Sequence, residues 1–207
     1  DVVAKRSRYF QMNGGGWPQA LRRAADWLIQ QRVRAFVFCC AAAMLLAVVK
    51  GQDANWDLRN YHYYNPYALM HGRMAVDVAP AQLQTWHHPL ADLPYYWLAS
   101  AGVHSVMFTA LLALPAGLAV FLLWLVVQRL VGQAADGLSF VCMVILALTG
   151  ASGAAVLGTT MSEWHLCALF MLAIWCLLNA LDGEHSERPW VVGGGIAGGL
   201  MVGLKLT

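Results

Sequence analysis

The chain is 207 residues long, 59% hydrophobic and 12% charged, with a mean hydropathy of +0.54 and a formal net charge of +2. A soluble domain carries about a quarter charged residues, so this composition argues against an ordinary soluble protein and for one embedded in a membrane. The near-neutral net charge gives no reason to expect a nucleic-acid partner.

The basic residues crowd the start. Lys5, Arg6, Arg8, Arg22, Arg23, Arg32 and Arg34 lie at or before the beginning of the first apolar run. A basic flank holds a membrane end in the cytoplasm, so residues 1–32 are expected to form a cytoplasmic tail. Residues 1–16 are polar and end in Gly14-Gly15-Gly16, which reads as a flexible segment. Pro18 suits a helix start. After it, Leu21, Ala25, Leu28 and Ile29 share one face, opposed by Arg22, Arg23, Gln30 and Gln31, with Trp17 and Trp27 nearby. Two readings fit: a helix lying on the membrane surface, or a helical extension of the first span.

A bilayer core needs about 20 apolar residues per helix. The first span is expected over 33–50, followed by a long polar loop over 51–103. The remainder, 104–207, reads as four further spans of an incomplete transmembrane domain. The second covers about 104–128 and contains Pro115, which a membrane helix tolerates as a kink. The third covers about 137–157. The polar stretch Gly158-Thr159-Thr160-Met161-Ser162-Glu163 then leads to a fourth, ending near Leu181, and the last begins near Trp190. The chain opens on Asp1 and stops at Thr207 within an apolar run, so it is expected to be part of a longer protein. Cys39, Cys40, Cys142, Cys167 and Cys176 all fall in apolar segments without metal-site spacing and read as small packing residues. The glycines at 193–195, 198, 199 and 203 read as allowing close helix approach, not as a phosphate loop, because no strand precedes them.

Chemistry is concentrated in the loop. Asp53-Ala54-Asn55-Trp56-Asp57-Leu58-Arg59-Asn60-Tyr61-His62 sets two carboxylates just past the first span, among aromatic and amide side chains. Asp53 and Asp57 are four apart and share a face if the segment is helical. Aromatic rings stack on sugar C–H surfaces and amides bond hydroxyls, so the composition suits a glycan. A carboxylate here also fits an ordinary solvated loop.

The pattern Asp57-x-x-x-Tyr61, then Ala68, Leu69 and Gly72-Arg73, resembles the first outer loop of the GT-C superfamily, whose members are integral membrane glycosyltransferases using polyprenyl-phosphate sugars. The likeness is nearest to the polyprenyl-phosphate-mannose-dependent, family 87 type. Trp86-His87-His88-Pro89-Leu90-Ala91-Asp92-Leu93-Pro94-Tyr95-Tyr96 is similar to that superfamily's aromatic-x-x-Pro-Pro-Leu segment, with His88 in place of the first proline. The resemblance implies an all-α polytopic bundle in a bacterial inner membrane, with the long loop periplasmic. It implies transfer of a mannose-like sugar from a polyprenyl-phosphate donor to a lipid or glycan acceptor by direct displacement.

On that resemblance Asp57 is the general base, and Asp53 orients the acceptor or raises the pKa of its neighbour. Glu163 opens the fourth span where it can reach the same cavity. Arg59, His87, His88 and Lys205 are expected to meet the departing phosphate, with Tyr61 and His62 also binding substrate. Arg59 pairing with Asp53 or Asp57 is the alternative. No cofactor is implied. A divalent metal remains open, although the adjacent His87 and His88 point poorly at one ion. A transporter or flippase would use Asp53, Asp57 and Glu163 as a relay, but such groups normally sit at the bilayer midplane. A non-catalytic subunit that recruits a partner through the loop, and a polysaccharide ligase, are the other readings.

Overall fold

The computed structural model describes residues 18–182 and 186–205, less the side chains of Gln133 and Lys205. The tail expected over 1–16 lies outside these residues. Regular structure among them is wholly helical: α1 (Gln19–Ile29), α2 (Arg32–Lys50), α3 (Tyr64–Met70), α4 (Leu93–Ser100), α5 (Ser105–Leu112), α6 (Leu114–Val131), α7 (Gly137–Thr149), α8 (Ala151–Val156), α9 (Glu163–Ala180) and α10 (Glu187–Lys205).

Three of these stretches are long and apolar enough to cross a membrane: α2, α5 with α6 as one run of 27 residues, and α9. Pro115, in the first turn of α6, has no N–H to donate, and the ladder steps there from α5 to α6 without ending the run. The expected third span is instead two shorter helices. Gly150 adopts φ −57° and ψ 140°, which ends α7 after 13 residues, and its carbonyl accepts from Ala154 as α8 begins. Over the expected last span the chain forms a 19-residue helix, α10, which is not among the described stretches apolar enough to cross a membrane.

Packing starts from small residues. Ala35, Cys39, Ala43 and Ala47 recur every four positions on α2, and all four are fully buried. This stripe lets α6 approach until a Cβ on Gly117 would lie 2.6 Å from Cys40 Cα. Val120 and Trp124 of α6 fill the space beside it, and Phe140, Val144 and Leu148 of α7 close the core. The Trp124 and Phe140 rings meet at 4.9 Å. Two of the five cysteines depart from the packing role: Cys142 and Cys167 are exposed, whereas Cys39, Cys40 and Cys176 are buried.

The helices run back and forth between two ends. At one, the Lys50 ammonium donates to the carbonyls of Ala155 (2.5 Å) and Leu157 (3.0 Å), tying the end of α2 to the end of α8. The loop over 51–104 sits here, and this is called the loop end. At the other, Trp190 of α10 meets Trp175 of α9 edge-on at 5.1 Å, so α10 runs antiparallel to α9. A Cβ on Gly194 would stand 3.3 Å from Cys176 Cβ, a tight approach, and one on Gly193 would stand 3.5 Å from Cys176 Sγ, an ordinary contact. Gly195, Gly198, Gly199 and Gly203 have nothing within 4 Å of where a Cβ would stand. Val33, Val37, Leu45 and Val49 on α2, Ile145 and Leu146 on α7, and Val191, Ile196 and Leu200 on α10 are exposed. Apolar surface on this scale is rare on a soluble monomer.

Helix α1 is not an extension of α2. Gln31 is extended (φ −132°, ψ 129°), and α1 turns back to pack on α7. The Asp26 carboxylate accepts from the Gly137 amide at 3.0 Å, and Asp136 caps the same helix by accepting from Ser139 at 2.8 Å. Ala25 is buried, and Leu28 and Ile29 reach the core, but Leu21 is exposed. A Cβ on Gly137 would fall 2.2 Å from the Ala25 carbonyl carbon and 2.3 Å from the Asp26 nitrogen, both backbone atoms that cannot yield cheaply. Gly137→Ala is therefore expected to lower the unfolding temperature by an amount equivalent to about 1–3 kcal/mol and to expose Arg22 and Arg23 to trypsin. Gly199→Ala, with open space around it, should do neither; equal behaviour of the two variants would contradict this packing.

Candidate functional site

Helix α2 ends at Gly51, whose φ of 100° suits glycine and whose amide still donates to Ala47. Asp53 then spends both oxygens on backbone and amide groups. One accepts from the Asn55 amide at 3.0 Å. The other accepts from the Asn55 side chain (3.0 Å), the Thr160 amide (3.0 Å) and the Thr160 hydroxyl (3.1 Å). Asn55 in turn accepts from Leu58 N–H at 2.7 Å, which starts a helical turn at Trp56. Asp53 thus precedes the helix, and it does not share a face with Asp57. Its position makes it a staple between the loop and the 158–162 break.

The turn opened by Asn55 widens into a π-helical segment, Leu58–His62. Such a turn holds one residue more than an α-turn and often marks a functional site. Here it directs consecutive aromatic side chains differently. Tyr61 hydrogen-bonds Asp57, four residues back. His62 goes inward, where Nδ1 meets Asp92 Oδ1 at 2.8 Å. Both partners of that pair are buried, at 7% and 8% exposure, and His62 Nε2 makes no hydrogen bond. Asp92 closes a 3-10 turn, Pro89–Asp92, that leads directly into α4.

Three acids, Asp57, Asp92 and Glu163, converge on Tyr61. Burial pushes the Tyr61 phenol up to about 12, and the charges of Asp57 and Asp92, the hydrogen bond to Asp57 and the charge of Glu163 add to it. The phenol therefore keeps its proton at neutral pH and donates it toward Asp57. Burial likewise lifts Tyr95 to about 12, helped by Asp53, Tyr63 and Asp92. Tyr63 lies against Tyr95 and Tyr96 with ring centroids 6.2 and 5.3 Å away, and His87 meets the Tyr61 edge at 5.3 Å. Glu163 stands in the first turn of α9, where the helix dipole favours a negative charge. His165, two residues on, lies within the field of both Asp92 and Glu163, and its Nδ1 is buried without a hydrogen bond.

Asp57, Glu163, Tyr61, His62 and His87 of the expected set are thus brought together. The others are placed elsewhere. Arg59 is exposed and makes no ion pair among the described residues, so it pairs with neither Asp53 nor Asp57. His88 is exposed, and its Nδ1 accepts from Leu90 N–H at 3.4 Å as the cap of a 3-10 turn. The side chain of Lys205 lies outside the described residues. Arg73 makes a bidentate pair with Asp77 (2.7 and 2.6 Å), which Tyr64 also joins through its hydroxyl. No group of three or more His, Cys, Asp or Glu side chains among the described residues is arranged around a common ion position.

Asp92 and His165 are the members that sequence reasoning passed over. Each had a faint signal: an acid inside the apolar Leu90-Ala91-Asp92-Leu93 stretch, and a histidine entering an apolar run beside Glu163. No known protein family, curated protein or solved structure matches the chain.

Two outcomes check this geometry. Asp92→Ala leaves a buried histidine without its partner, and is expected to destabilise the fold by about 1–3 kcal/mol, read as a lower unfolding temperature in detergent. The Asp77 carboxyl is held below its ordinary 3.8, first by the hydrogen bonds from Arg73 and then by that from Tyr64. A carboxyl depressed in the fold stabilises it above the ordinary value, and that contribution is lost as pH falls through the lower folded value. Protection from hydrogen exchange over 64–77, taken relative to the intrinsic rate at each pH, should therefore fall on acidification below about pH 4, and Asp77→Asn should flatten that dependence.

Proposed function

We propose that this is an integral membrane glycosyltransferase of GT-C type, moving a mannose-like sugar from a polyprenyl-phosphate donor to a lipid or glycan acceptor. The loop end would face the periplasm and the basic end the cytoplasm of a bacterial inner membrane. The observation that carries the reading is the Asp57 carboxylate. It lies just past the end of a membrane-length helix, receives a hydrogen bond from a phenol that stays protonated, and has Asp92–His62 and Glu163 close by.

In this reading Asp57 takes the proton of the acceptor hydroxyl as that oxygen attacks the anomeric carbon. The bond between the anomeric carbon and the phosphate oxygen breaks, and the polyprenyl phosphate leaves with the electron pair. Tyr61 fixes the carboxylate orientation. Glu163 and Asp92 stand near the same phenol. His87, at the Tyr61 edge, and the exposed Arg59 are the donors nearest in sequence to meet the leaving phosphate. The aromatic wall of Tyr63, Tyr95 and Tyr96 suits a sugar ring.

Charge placement favours this over transport. Between Arg32 and Lys50 on α2, along α5 and α6, and along α7 there is no acid, and the single acid of α9 is its first residue. A relay through the bilayer needs ionisable groups near its middle, whereas chemistry on a lipid headgroup needs them at the helix ends.

The test compares membranes holding wild type with membranes holding Asp57→Asn at equal insertion, supplied with a labelled sugar on polyprenyl phosphate. Loss of general-base catalysis is expected to cut transfer at least about a hundredfold. Transfer by the variant at the wild-type rate would remove Asp57 as the base. Failure of the wild type with every polyprenyl-phosphate sugar would remove the glycosyltransferase reading itself.

A further inference from the structure

At the end of the bundle away from the loop, the helices leave a cleft that the proposed chemistry does not use. It consists of two adjoining hollows. One, about 300 Å³, opens between α2, α6, α9 and α10 and is lined by Arg32, Gln128, Arg129, Trp175, Asn179 and Trp190. The other, about 240 Å³, lies between α1, α2 and α6, and shares Arg32, Leu125 and Gln128 with the first. Its place is set by three helix ends: Arg32 is the first residue of α2, Gln128 and Arg129 sit in the last turn of α6, and Asn179 is in the last turn of α9.

The cations around this cleft are not equally committed. Arg129 is paired with Asp182. Arg34, one turn from the cleft, lies 4.1 Å over the Trp27 ring and donates to the Trp27 carbonyl at 3.4 Å. Arg32 makes no ion pair or hydrogen bond from its side chain among the described residues. Among the described residues, then, the Arg32 guanidinium at the mouth of this polar hollow is not paired with a carboxylate, and two amide side chains line the same space. The Asn179 amide donates to Trp175 O at 2.6 Å, which holds that side chain in the wall of the hollow beside the paired indoles. A guanidinium offers a planar fork matched to a phosphate. Tryptophans at the level of helix ends are suited to the headgroup zone of a bilayer.

We propose that this cleft binds the phosphate headgroup of an anionic phospholipid, with Arg32 as the principal contact and Gln128 and Asn179 bonding the headgroup hydroxyls. A neutral or zwitterionic headgroup lacks the net charge to match Arg32. The inference rests on the chain being embedded in a bilayer, but not on its catalysing sugar transfer.

The full chain, purified in neutral maltoside detergent, would be titrated with phosphatidylglycerol and, separately, with phosphatidylcholine of the same acyl chains. Bound lipid would be counted by native mass spectrometry and the unfolding temperature followed in parallel. Phosphatidylglycerol is expected to bind and to raise the unfolding temperature, and phosphatidylcholine to do so at least fivefold more weakly. Arg32→Gln should lose at least fivefold in phosphatidylglycerol affinity, Arg32→Lys should lose less, and Arg23→Gln on the exposed face of α1 should lose nothing. If Arg32→Gln does not fold, the Gln128→Ala, Asn179→Ala double variant takes its place with the same expectation. Equal binding of the two lipids, or equal loss on Arg23→Gln and Arg32→Gln, would overturn the proposal. Equal stabilisation by inorganic phosphate at millimolar concentration would assign the cleft to a free anion instead. The sugar-transfer assay is separate, so its failure would leave this result standing.

Discussion

Two side chains at the end of α2 hold the loop to the bundle. Lys50 donates to the carbonyls that α8 leaves unsatisfied, and Asp53 accepts from Thr160 on the following break. The terminal carbonyls of a helix and the amides of an irregular segment both need partners, and burial makes leaving them unpaired costly. A lysine and an aspartate three residues apart meet both needs at once. Through Asn55, the same aspartate sets where the next helical turn begins. The position of Asp57 therefore follows from a contact made more than a hundred residues away along the chain.

That contact requires α2 and the 155–160 segment to stand side by side, and small residues provide this. The Ala35, Cys39, Ala43, Ala47 stripe gives α6 a shallow surface, and Gly117 uses the remaining depth. Gly158, at φ +69°, has the Ala47 methyl 2.7 Å from where a Cβ would stand, so the last residue of the same stripe accommodates the break itself. Helix packing and site geometry are one arrangement: the spacing that seats α6 also brings Thr160 within reach of Asp53.

Much of the helical plan could be read from composition. The limits of α2 and α9 follow from where apolar runs meet polar flanks, because apolar length is a coarse property that local chemistry does not disturb. The division of 137–157 was not legible, since a glycine within an apolar run is compatible with a continuous helix, and the break appears only in the extended backbone of Gly150. At the site, the pairing of Asp53 with Asp57 assumed a helix running through both. Asn55 is an ordinary capping residue, and it starts the helix two residues after Asp53. The His62–Asp92 pair joins positions 30 apart, brought together by the folding of a loop without long elements, and no spacing rule reaches that far. His87 and His88 part company because a backbone in extended conformation sends neighbours to opposite sides.

The π-helical turn makes the loop sensitive to chain length rather than to side-chain identity. Removing any one residue between Leu58 and His62 would restore α-helical register and rotate everything after it by about 100°. Asp57 and the inward-facing histidine would then address different surfaces, even though every functional side chain was still present. Insertions and deletions should therefore be tolerated very unevenly across this loop, and a five-residue element is the one whose length is fixed.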